Sequence, residues 1–265
     1  MGKIDRLASS EGALMRPRDR RADIAEIIGQ QGQVSVEELA ARFTVSAETI
    51  RRDLTRLAED GVIQKVHGGA KRPRLHAEGT FQERMTEDAE AKRSIARKLA
   101  ALLEPGDTIF MDTGTTTLIC AEAVAEVGRL TVITNSIGIA QAVAGSRGGN
   151  SVYLLGGQYG ADNGQTYGPL AIDQISGFQA DHAVLTVAAI DATEGVMDSN
   201  FDEARVAREM IDRSRQLLIV AHAGKFDRMA AFRVCSLDEI DVLISDVPPG
   251  PKLAAALQSA EVELR

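Results

Sequence analysis

Residues 46–54 read SAETIRRDL and combine two adjacent arginines with hydroxyl, carboxylate and regularly spaced apolar side chains. On a helix that turns Ile50 and Leu54 inward, a winding of ~100° per residue places Glu48 and Arg52 on the outward face. Arginine forms bidentate hydrogen bonds to guanine or grips phosphates, so this face could bind DNA. A solvated charged face is the simpler interpretation of an isolated helix. The neighbouring elements therefore decide between the two.

Three helices and a hairpin are predicted around this stretch. The first helix runs from Arg18 to about Gly32. The second opens at Ser35 with a capping-box glutamate three residues later, and the third begins at Ser46 as its N-cap. The segment VIQKVHGGAKR (62–72) follows with a two-glycine turn, as in the wing of a winged helix-turn-helix. This context favours the DNA-binding interpretation of the third helix.

The side chains predicted to contact DNA lie on or beside the outward face of the third helix, or on the wing. They are Ser46, Glu48, Thr49, Arg51, Arg52, Thr55, Lys65 and His67. Asp53 lies nearer the edge of the core, where we expect it to hold an arginine in place rather than to meet DNA.

A second group of polar residues follows a short apolar run, TIFM (108–111). The next segment, DTGTTT (112–117), offers a glycine for a tight turn and three threonines at a predicted helix start. The free backbone N–H groups and the hydroxyls of such a start suit a phosphate. The sequence has no Walker lysine and no GxGxxG, so a nucleotide is not favoured. For this segment alone, a simple helix cap is the plainer interpretation.

The region that contains this loop alternates apolar runs with helix-length stretches, which indicates an α/β domain with a mainly parallel sheet. We expect six strands buried on both faces: TIFM (108–111), LTVIT (130–134), SVYLL (151–155), HAVLTV (182–187), QLLIV (216–220) and DVLIS (241–245). Open sheets of this kind bind ligands at the carboxyl ends of their strands. The candidate ligand-binding residues at these ends are Asp112, Gly114, Thr115, Thr116, Thr117, Asn135, Ser136, Asp191 and Lys225.

The chain of 265 residues is long enough for two domains, and its charge is divided unevenly. Residues 1–80 carry 14 Lys and Arg against 12 Asp and Glu, whereas residues 81–265 carry 16 against 26. We therefore expect regions with different partners. The predicted boundaries give a flexible N-terminal extension (1–17), a winged helix-turn-helix DNA-binding domain (18–72), a linker (73–84) and an α/β ligand-sensing domain (85–265).

Neither a membrane span nor a metal site is indicated by the sequence. No run approaches the ~18 apolar residues of a span, and the N-terminus lacks the apolar segment of a signal peptide, so we expect a cytoplasmic protein. Cys120 and Cys235 stand apart without CxxC spacing, and no histidine, cysteine and aspartate cluster has metal-ligand spacing. We expect buried thiols, no metal and no cofactor.

The segment VSVEELAARFTVSAETIRRDLTRLAEDGVIQKVHGGA (34–70) resembles the DeoR family of bacterial transcriptional repressors almost throughout. The similarity includes TIRRDL in the third helix and HGGA in the wing. The resemblance implies a winged helix-turn-helix that contacts operator DNA, with Thr49, Arg51 and Arg52 as the main candidates for contact.

The C-terminal region resembles the sensor domain of the same family, which is similar to the ribose-5-phosphate isomerase fold. This resemblance implies a phosphorylated sugar or related metabolite as ligand, with DTGTTT as the phosphate loop and residues 134–136 as a second loop. Asp191, Glu203 and Lys225 match the residues that surround the sugar end. His222 stands where members of the family usually carry aspartate, and the sequence assigns it no role.

Three functions fit these features. The favoured hypothesis is a repressor of a carbohydrate or polyol catabolic operon. A phosphorylated metabolite releases it from operator DNA, and it works as a homo-oligomer, a dimer or tetramer, through the sensor domain. A sugar-phosphate isomerase-like enzyme with an appended DNA-binding module would need a carboxylate base and a cation, which Asp191, Glu203 and Lys225 could supply. A DNA-binding protein whose sensor responds to a protein partner is the third. Because a repressor needs only recognition, we expect no enzymatic activity.

Overall fold

The structure is a computed structural model that describes residues 16–59, 63–66, 68–71 and 79–265. The chain divides into two compact units, Met1–Arg74 and Leu75–Arg265, and each is described by itself. We call them the winged unit and the α/β unit. Of the predicted N-terminal extension, residues 1–15 lie outside the described residues.

Three helices and three short strands make up the described part of the winged unit. In chain order they are α1 (Pro17–Gln31), β1 (Gln33–Ser35), α2 (Val36–Phe43), α3 (Ala47–Glu59), β2 (Gln64–Val66) and β3 (Gly69–Lys71). The strands form one antiparallel sheet in the order β1-β3-β2. The three predicted helices and the hairpin are confirmed, whereas the strand β1 was not predicted.

Local capping sets the helix boundaries of this unit. The Ser35 side chain accepts a hydrogen bond from the Glu38 N–H, and the Glu38 carboxylate accepts one from the Ser35 N–H, which completes the predicted capping box of α2. Ser46 caps α3 by accepting from the Thr49 N–H at 3.1 Å. Helix α1 ends at Gln31, and the capping residue Gly32 has a φ of 79°, which suits a residue without Cβ.

The core of the winged unit is apolar and carries a buried ion pair at its edge. Ile50, Leu54 and Leu57 of α3 are 0%, 1% and 6% exposed, which confirms the predicted inward face. The Arg20 Nε on α1 donates to the Asp53 carboxylate at 2.6 Å, and both residues are 7% exposed. The expectation that Asp53 holds an arginine is confirmed, and the arginine comes from the first helix.

A seven-stranded parallel sheet forms the centre of the α/β unit. The strands of the unit, in chain order, are β4 (Thr108–Met111), β5 (Thr131–Thr134), β6 (Ser151–Leu154), β7 (Gln158–Gly160), β8 (Gln165–Tyr167), β9 (Ala180–Leu185), β10 (Ala189–Asp191), β11 (Gly195–Asp198), β12 (Ser214–Val220), β13 (Phe232–Cys235), β14 (Val242–Ile244) and β15 (Glu263–Leu264). The large sheet has the order β15-β14-β12-β9-β4-β5-β6, and every neighbouring pair is parallel. A β7-β8 hairpin and an antiparallel β10-β11-β13 sheet accompany it. The predicted, mainly parallel α/β fold is confirmed; the two small sheets and β15 were not predicted.

Helices cover both faces of the large sheet. The helices of the unit, in chain order, are α4 (Phe81–Thr86), α5 (Ala89–Ala100), α6 (Thr115–Ala125), α7 (Ile137–Ala144), α8 (Pro169–Ile175), α9 (Phe201–Asp212) and α10 (Pro251–Ser259), and all except α4 bury side chains against the sheet. Side chains of α5, α6 and α7 share a buried cluster with Ile109 and Met111 of β4, whereas those of α8, α9 and α10 share another with Phe110. Because successive strand residues point to opposite faces, the two clusters lie on opposite sides of the sheet.

Two predictions about this unit differ from the structure. The run SVYLL was expected to be buried on both faces, but β6 is an edge strand, and its Tyr153 and Leu154 are 51% and 49% exposed. Apolar composition alone does not distinguish an edge strand from a central one. Residues 81–84 of the predicted linker belong to α4, which begins with a capping box of Thr80 and Glu83. The predicted linker up to residue 78 lies outside the described residues.

The two cysteines lie in the apolar interior of the α/β unit. Cys120 and Cys235 are buried free thiols, as predicted, and burial raises the pKa of each to about 12. Within the described ranges, no group of three or more His, Cys, Asp or Glu side chains is placed to hold a metal. Among the helices described above, none combines the length and the apolar character that crossing a membrane requires.

Candidate functional site

The outward face of α3 carries exposed charged side chains. The side chains of Glu48, Arg51 and Arg52 are 63%, 57% and 82% exposed. The Glu48 carboxylate lies 3.4 Å from the Arg52 Nε and 3.8 Å from a terminal guanidinium nitrogen of Arg51. Exposed ion pairs typically contribute only ~0.2–1 kcal/mol to stability, so folding does not account for this arrangement.

The hydroxyl groups at the predicted DNA-contact positions form hydrogen bonds within the winged unit. The Ser46 Oγ lies 2.9 Å from the Thr49 Oγ1 at the start of α3. Thr55 donates its hydroxyl to a backbone carbonyl one turn earlier at 2.8 Å and accepts from the Lys65 Nζ at 3.0 Å. This second bond connects α3 to strand β2 and places a cation beside the charged face. His67 lies outside the described residues.

A pocket of about 110 Å³ lies at the carboxyl ends of central strands of the large sheet. One enclosed water needs roughly 10–15 Å³ of such space, so the pocket admits a small molecule. Its lining comes from the segments after β4, β9 and β12, from the last residue of β11, and from α4, α5, α6 and α9. This is the edge of an open α/β sheet at which ligands are expected to bind.

Three of the four threonines that line the pocket come from one loop and the helix start that follows it. Thr113, Thr115 and Thr116 line it from the loop after β4 and the first turn of α6, and they are 6%, 4% and 2% exposed. The buried Thr113 hydroxyl has no hydrogen-bond partner among the described residues. The first N–H groups of a helix have no partner within the helix, so this loop offers several donors to an anion.

The loop after β4 approaches the end of β9 closely. A Cβ on Gly114 would lie 2.0 Å from the Thr186 Cγ2, so the close approach requires glycine. The Asp112 carboxylate accepts from the Thr186 N–H at 3.0 Å, and burial raises the pKa of this carboxyl well above its ordinary value. The Thr117 hydroxyl donates to the Gly114 carbonyl at 3.2 Å. Asp112, Gly114 and Thr117 shape the loop from behind and do not line the pocket, whereas Thr186 lines it.

Cations and carboxylates line the same pocket. The cationic side chains are Arg84, Lys92, Lys225 and Arg228, and the carboxylates are Glu87, Asp88, Asp198 and Glu203. Lys92 and Lys225 are only 2% and 8% exposed. Burial lowers the pKa of Lys92, and the neighbouring Lys225 lowers it further. Two buried lysines in a pocket lined by threonine hydroxyls favour an anionic ligand.

A chain of hydrogen bonds connects the pocket to the loop after β5. The Glu203 Oε1 accepts from the Asn163 Nδ2 at 2.8 Å and from the Gln165 Nε2 at 2.6 Å. The Gln165 side-chain oxygen accepts from the Asn135 Nδ2 at 3.4 Å, and Arg84 donates to the Asn163 Oδ1 at 3.2 Å. Asn135 therefore does not line the pocket, but hydrogen bonds through Gln165 connect it to Glu203, which does.

Comparison with known proteins identifies the family. Residues 20–74 match the DeoR-like helix-turn-helix domain, and residues 87–247 match the DeoR C terminal sensor domain. The chain belongs to the DeoR family. Both halves of the predicted resemblance are confirmed, and the two matched ranges lie within the winged unit and the α/β unit.

Full-length relatives share this DeoR-family organisation. The chain is 33% identical over 250 residues to the glycerol-3-phosphate regulon repressor of Escherichia coli (strain K12), which covers 94% of this chain and 99% of the relative. It is 31% identical over 251 residues to the HTH-type transcriptional repressor GlcR of Bacillus subtilis (strain 168), covering 94% and 96%. The chain is therefore a DNA-binding transcriptional regulator of the repressor type rather than an enzyme.

Two solved structures show a distant similarity to this DeoR-family chain. A ribose 5-phosphate isomerase A from Methanocaldococcus jannaschii is 11% identical, with a TM-score of 0.39 over 53% of this chain and 55% of that chain. A chain of the tetrameric eIF2B-beta2-delta2 complex from C. thermophilum is 10% identical, with a TM-score of 0.46 over 92% and 88%.

The structure brings some of the predicted ligand-binding residues into the pocket. These are Thr115, Thr116, Glu203 and Lys225. Ser136 instead caps α7 by accepting from the Ile139 N–H at 3.4 Å. Asp191 accepts backbone N–H groups in the turn between β10 and β11. The predicted residues that do not line the pocket are Asp112, Gly114, Thr117, Asn135, Ser136 and Asp191.

Sequence reasoning missed pocket residues that precede the first strand of the large sheet. Lys92 lies three, four and seven residues before Ile95, Ala96 and Leu99, which form the buried face of α5. A lysine in register with an apolar helix face is the signal that could have identified it. Arg84 carries no comparable signal, because α4 is short and has no buried residue among those described.

His222, which the sequence left without a role, lines the pocket. Its Nδ1 accepts from the Gly224 N–H at 3.2 Å and lies 3.1 Å from the Asp88 carboxylate. Burial lowers the pKa of His222, and the neighbouring Lys225 acts in the same direction. The Gly224 N–H pairs with an unprotonated Nδ1, whereas the Asp88 carboxylate pairs with a protonated one, so the two contacts favour opposite states of the imidazole.

Proposed function

We propose that this DeoR-family regulator binds operator DNA through α3 and the wing, and that a small phosphorylated metabolite in the pocket releases it. The most exposed side chain of the face, Arg52, is assigned to a base edge, whereas Arg51 and Lys65 are assigned to phosphates. Glu48 orients both arginines. The predicted contacts Ser46, Thr49, Thr55 and His67 remain assigned to the same interface.

The assignment of a phosphate group to the effector rests on the combination of threonine hydroxyls with two buried lysines. Thr113, Thr115 and Thr116 share the pocket with Lys92 and Lys225. Helix-start N–H groups, hydroxyls and ammonium groups are all donors, and their hydrogen bonds to an ionised phosphate are roughly twice as strong as neutral ones. This donor set supports a phosphate as the group that the pocket recognises.

Carboxylates in the pocket support a hydroxylated remainder of the ligand. Asp198 and Glu203 line the pocket, and a carboxylate accepts hydrogen bonds from sugar or polyol hydroxyls. We therefore assign the effector to the phosphorylated sugars and polyols. The Escherichia coli relative is named for glycerol-3-phosphate, which makes that compound a suitable small member of the class to test.

A thermal-shift screen tests this assignment. A ligand that binds only the native protein stabilises it by about 2.7 kcal/mol at one hundred times its dissociation constant, so it raises the melting temperature. We expect phosphorylated sugars or polyols to raise the melting temperature and their unphosphorylated counterparts to leave it unchanged. Equal shifts from glycerol and glycerol 3-phosphate, or from every such pair, would contradict the phosphate assignment.

Replacing Arg52 with alanine tests the DNA-binding face. If Arg52 contacts a base edge, the change should cost ~1–3 kcal/mol of operator binding and remove the preference at one base pair. Fluorescence anisotropy with an operator selected from random DNA, and with single-base variants of it, measures both effects at fixed salt. Lys65→Ala should weaken all sequences equally. The same uniform loss with Arg52→Ala would place Arg52 on a phosphate instead.

Assembly and location complete the proposal. One short helix reads too few base pairs for a unique genomic site, so we propose a symmetric oligomer that pairs half-sites, held together by the α/β unit. A protein that binds chromosomal operators works in the cytoplasm. Light scattering on the full chain should show a dimer or a tetramer, and a monomer at micromolar concentration would contradict this assembly.

A further inference from the structure

Lys92 is a buried cation that connects the pocket with helix α4. It lies in the first turn of α5, is 2% exposed, and lines the pocket. Its Nζ donates to the backbone carbonyl of Arg84, in the last turn of α4. The last carbonyls of a helix have no partner within the helix, and a cation at this end is favourable. The Lys92 ammonium therefore holds the end of α4 in place.

A second contact attaches α4 to the pocket wall. The Arg84 guanidinium donates to the Asn163 Oδ1 at 3.2 Å, and the Asn163 amide donates to Glu203 at 2.8 Å. Lys92, which contacts α4 directly, and Glu203, which holds Asn163, both line the pocket, so a bound ligand can contact both of them. In the sequence, α4 begins seven residues after Arg74, the last residue of the winged unit.

The pocket also contains a site at which an anion would compete for this ammonium. The Thr113 hydroxyl is buried, lines the pocket and has no hydrogen-bond partner among the described residues. Lys225, only 8% exposed, lines the same pocket. An ionised phosphate bound to these donors is a stronger acceptor for the Lys92 ammonium than the neutral Arg84 carbonyl.

We propose that Lys92 is an effector-binding residue whose ammonium is shared between the bound anion and the end of α4, so that the anion loosens α4. This inference rests on the proposed phosphate pocket. The effector then loosens the segment that joins the α/β unit to the winged unit in the sequence. An effector can shift a conformational equilibrium only if it binds the two states with different affinity, and the loosened α4 supplies that second state. The Lys92 ammonium group thus both binds the effector and relays its binding to α4.

Hydrogen exchange of the full chain tests this inference, with inorganic phosphate as the probe and chloride at matched ionic strength as the reference. In the wild-type protein, phosphate should speed exchange in the peptide that covers α4 by about five-fold or more, the lower end of usual allosteric coupling. In Lys92→Met, the same peptide should exchange fast in both buffers. Binding of phosphate, followed by the melting temperature, should be weaker in the variant.

Lys98→Met is the matched control. Lys98 lies on the same helix and also donates to a backbone carbonyl, that of Ser245 at 2.6 Å, but it does not line the pocket. This variant should keep the wild-type phosphate response at α4. A Lys98→Met protein that loses the response as Lys92→Met does would overturn a specific role for Lys92.

The wild-type measurement alone separates the two proposals. Phosphate that raises the melting temperature but leaves α4 exchange unchanged, or slows it, would overturn the role of Lys92 while the pocket assignment stands. Phosphate without any effect on the melting temperature would overturn both. A Lys92→Met protein that binds phosphate and responds at α4 as the wild type does would also overturn the inference.

Discussion

Replacing Asp53 with alanine is expected to lower the free energy of unfolding of the winged unit by about 3–5 kcal/mol. The change removes the carboxylate that lies 2.6 Å from the Arg20 guanidinium, in a pair whose side chains are 9% exposed. Stability of a domain is commonly 5–15 kcal/mol, so this loss leaves the unit marginal and should abolish operator binding. Calorimetry on the full chain and operator anisotropy measure the two effects.

Two further variants distinguish this ion pair from a general sensitivity of α3. Glu48→Ala removes an exposed carboxylate from the same helix and should change stability by no more than ~1 kcal/mol. The double change of Arg20→Met with Asp53→Leu should recover much of the loss, because apolar side chains can replace a buried pair. An Asp53→Ala protein that melts as the wild type does would show that the pair is not important for folding.

Thr115→Asp is expected to weaken effector binding by on the order of a thousand-fold. Thr115 lies in the first turn of α6, is 4% exposed and lines the pocket, so an aspartate there places a negative charge beside the bound phosphate. Two unit charges 4 Å apart at an effective dielectric constant of 20 repel by about 4 kcal/mol. Calorimetric titration with the effector measures the loss, and operator binding without effector should stay near the wild-type value.

The control for this change is Thr193→Asp. Thr193 is an exposed residue of the turn between β10 and β11 and does not line the pocket, so its variant should bind the effector as the wild type does. A folded Thr115→Asp protein that is still released from operator DNA by the wild-type concentration of effector would contradict the assignment of the phosphate to this loop.

The sequence predicted those parts of the winged unit that depend on neighbouring residues. Helix caps at Ser35 and Ser46 and the inward face of α3 are local patterns, and the structure contains each of them. Strand β1 could not be predicted in this way. Its three residues include one buried side chain, Val34, and the strand exists because it pairs with β3, more than thirty residues later.

The α/β unit shows the same limit at the scale of a sheet. Apolar runs located the main strands, but the order β15-β14-β12-β9-β4-β5-β6 is decided by pairing between distant segments. SVYLL has the composition of a central strand and forms the edge strand β6. The residues of β15 form no continuous apolar run, so its parallel pairing with β14 could not be predicted from the sequence.

In the pocket, the sequence indicated the right edge of the sheet but not the direction of each side chain. Thr115 and Lys225 line the pocket, whereas Asp112 turns to the Thr186 N–H and holds the loop from behind. A polar residue after a strand can do either, because its rotamer depends on the neighbouring strand. Lys92 belongs to α5, a helix that precedes the sheet in the sequence. Only the tertiary fold places Lys92 and Thr115 in the wall of the same pocket.

Reciprocal coupling between effector and operator tests the central claim most directly. If a phosphorylated effector weakens operator binding, thermodynamic linkage requires saturating operator to weaken effector binding by the same factor, about 5–150-fold for a typical coupling. Calorimetric titration of the effector into the protein, with and without operator, measures that factor, and anisotropy measures its counterpart. We predict equal factors clearly above one; an effector affinity that operator DNA leaves unchanged would contradict the account.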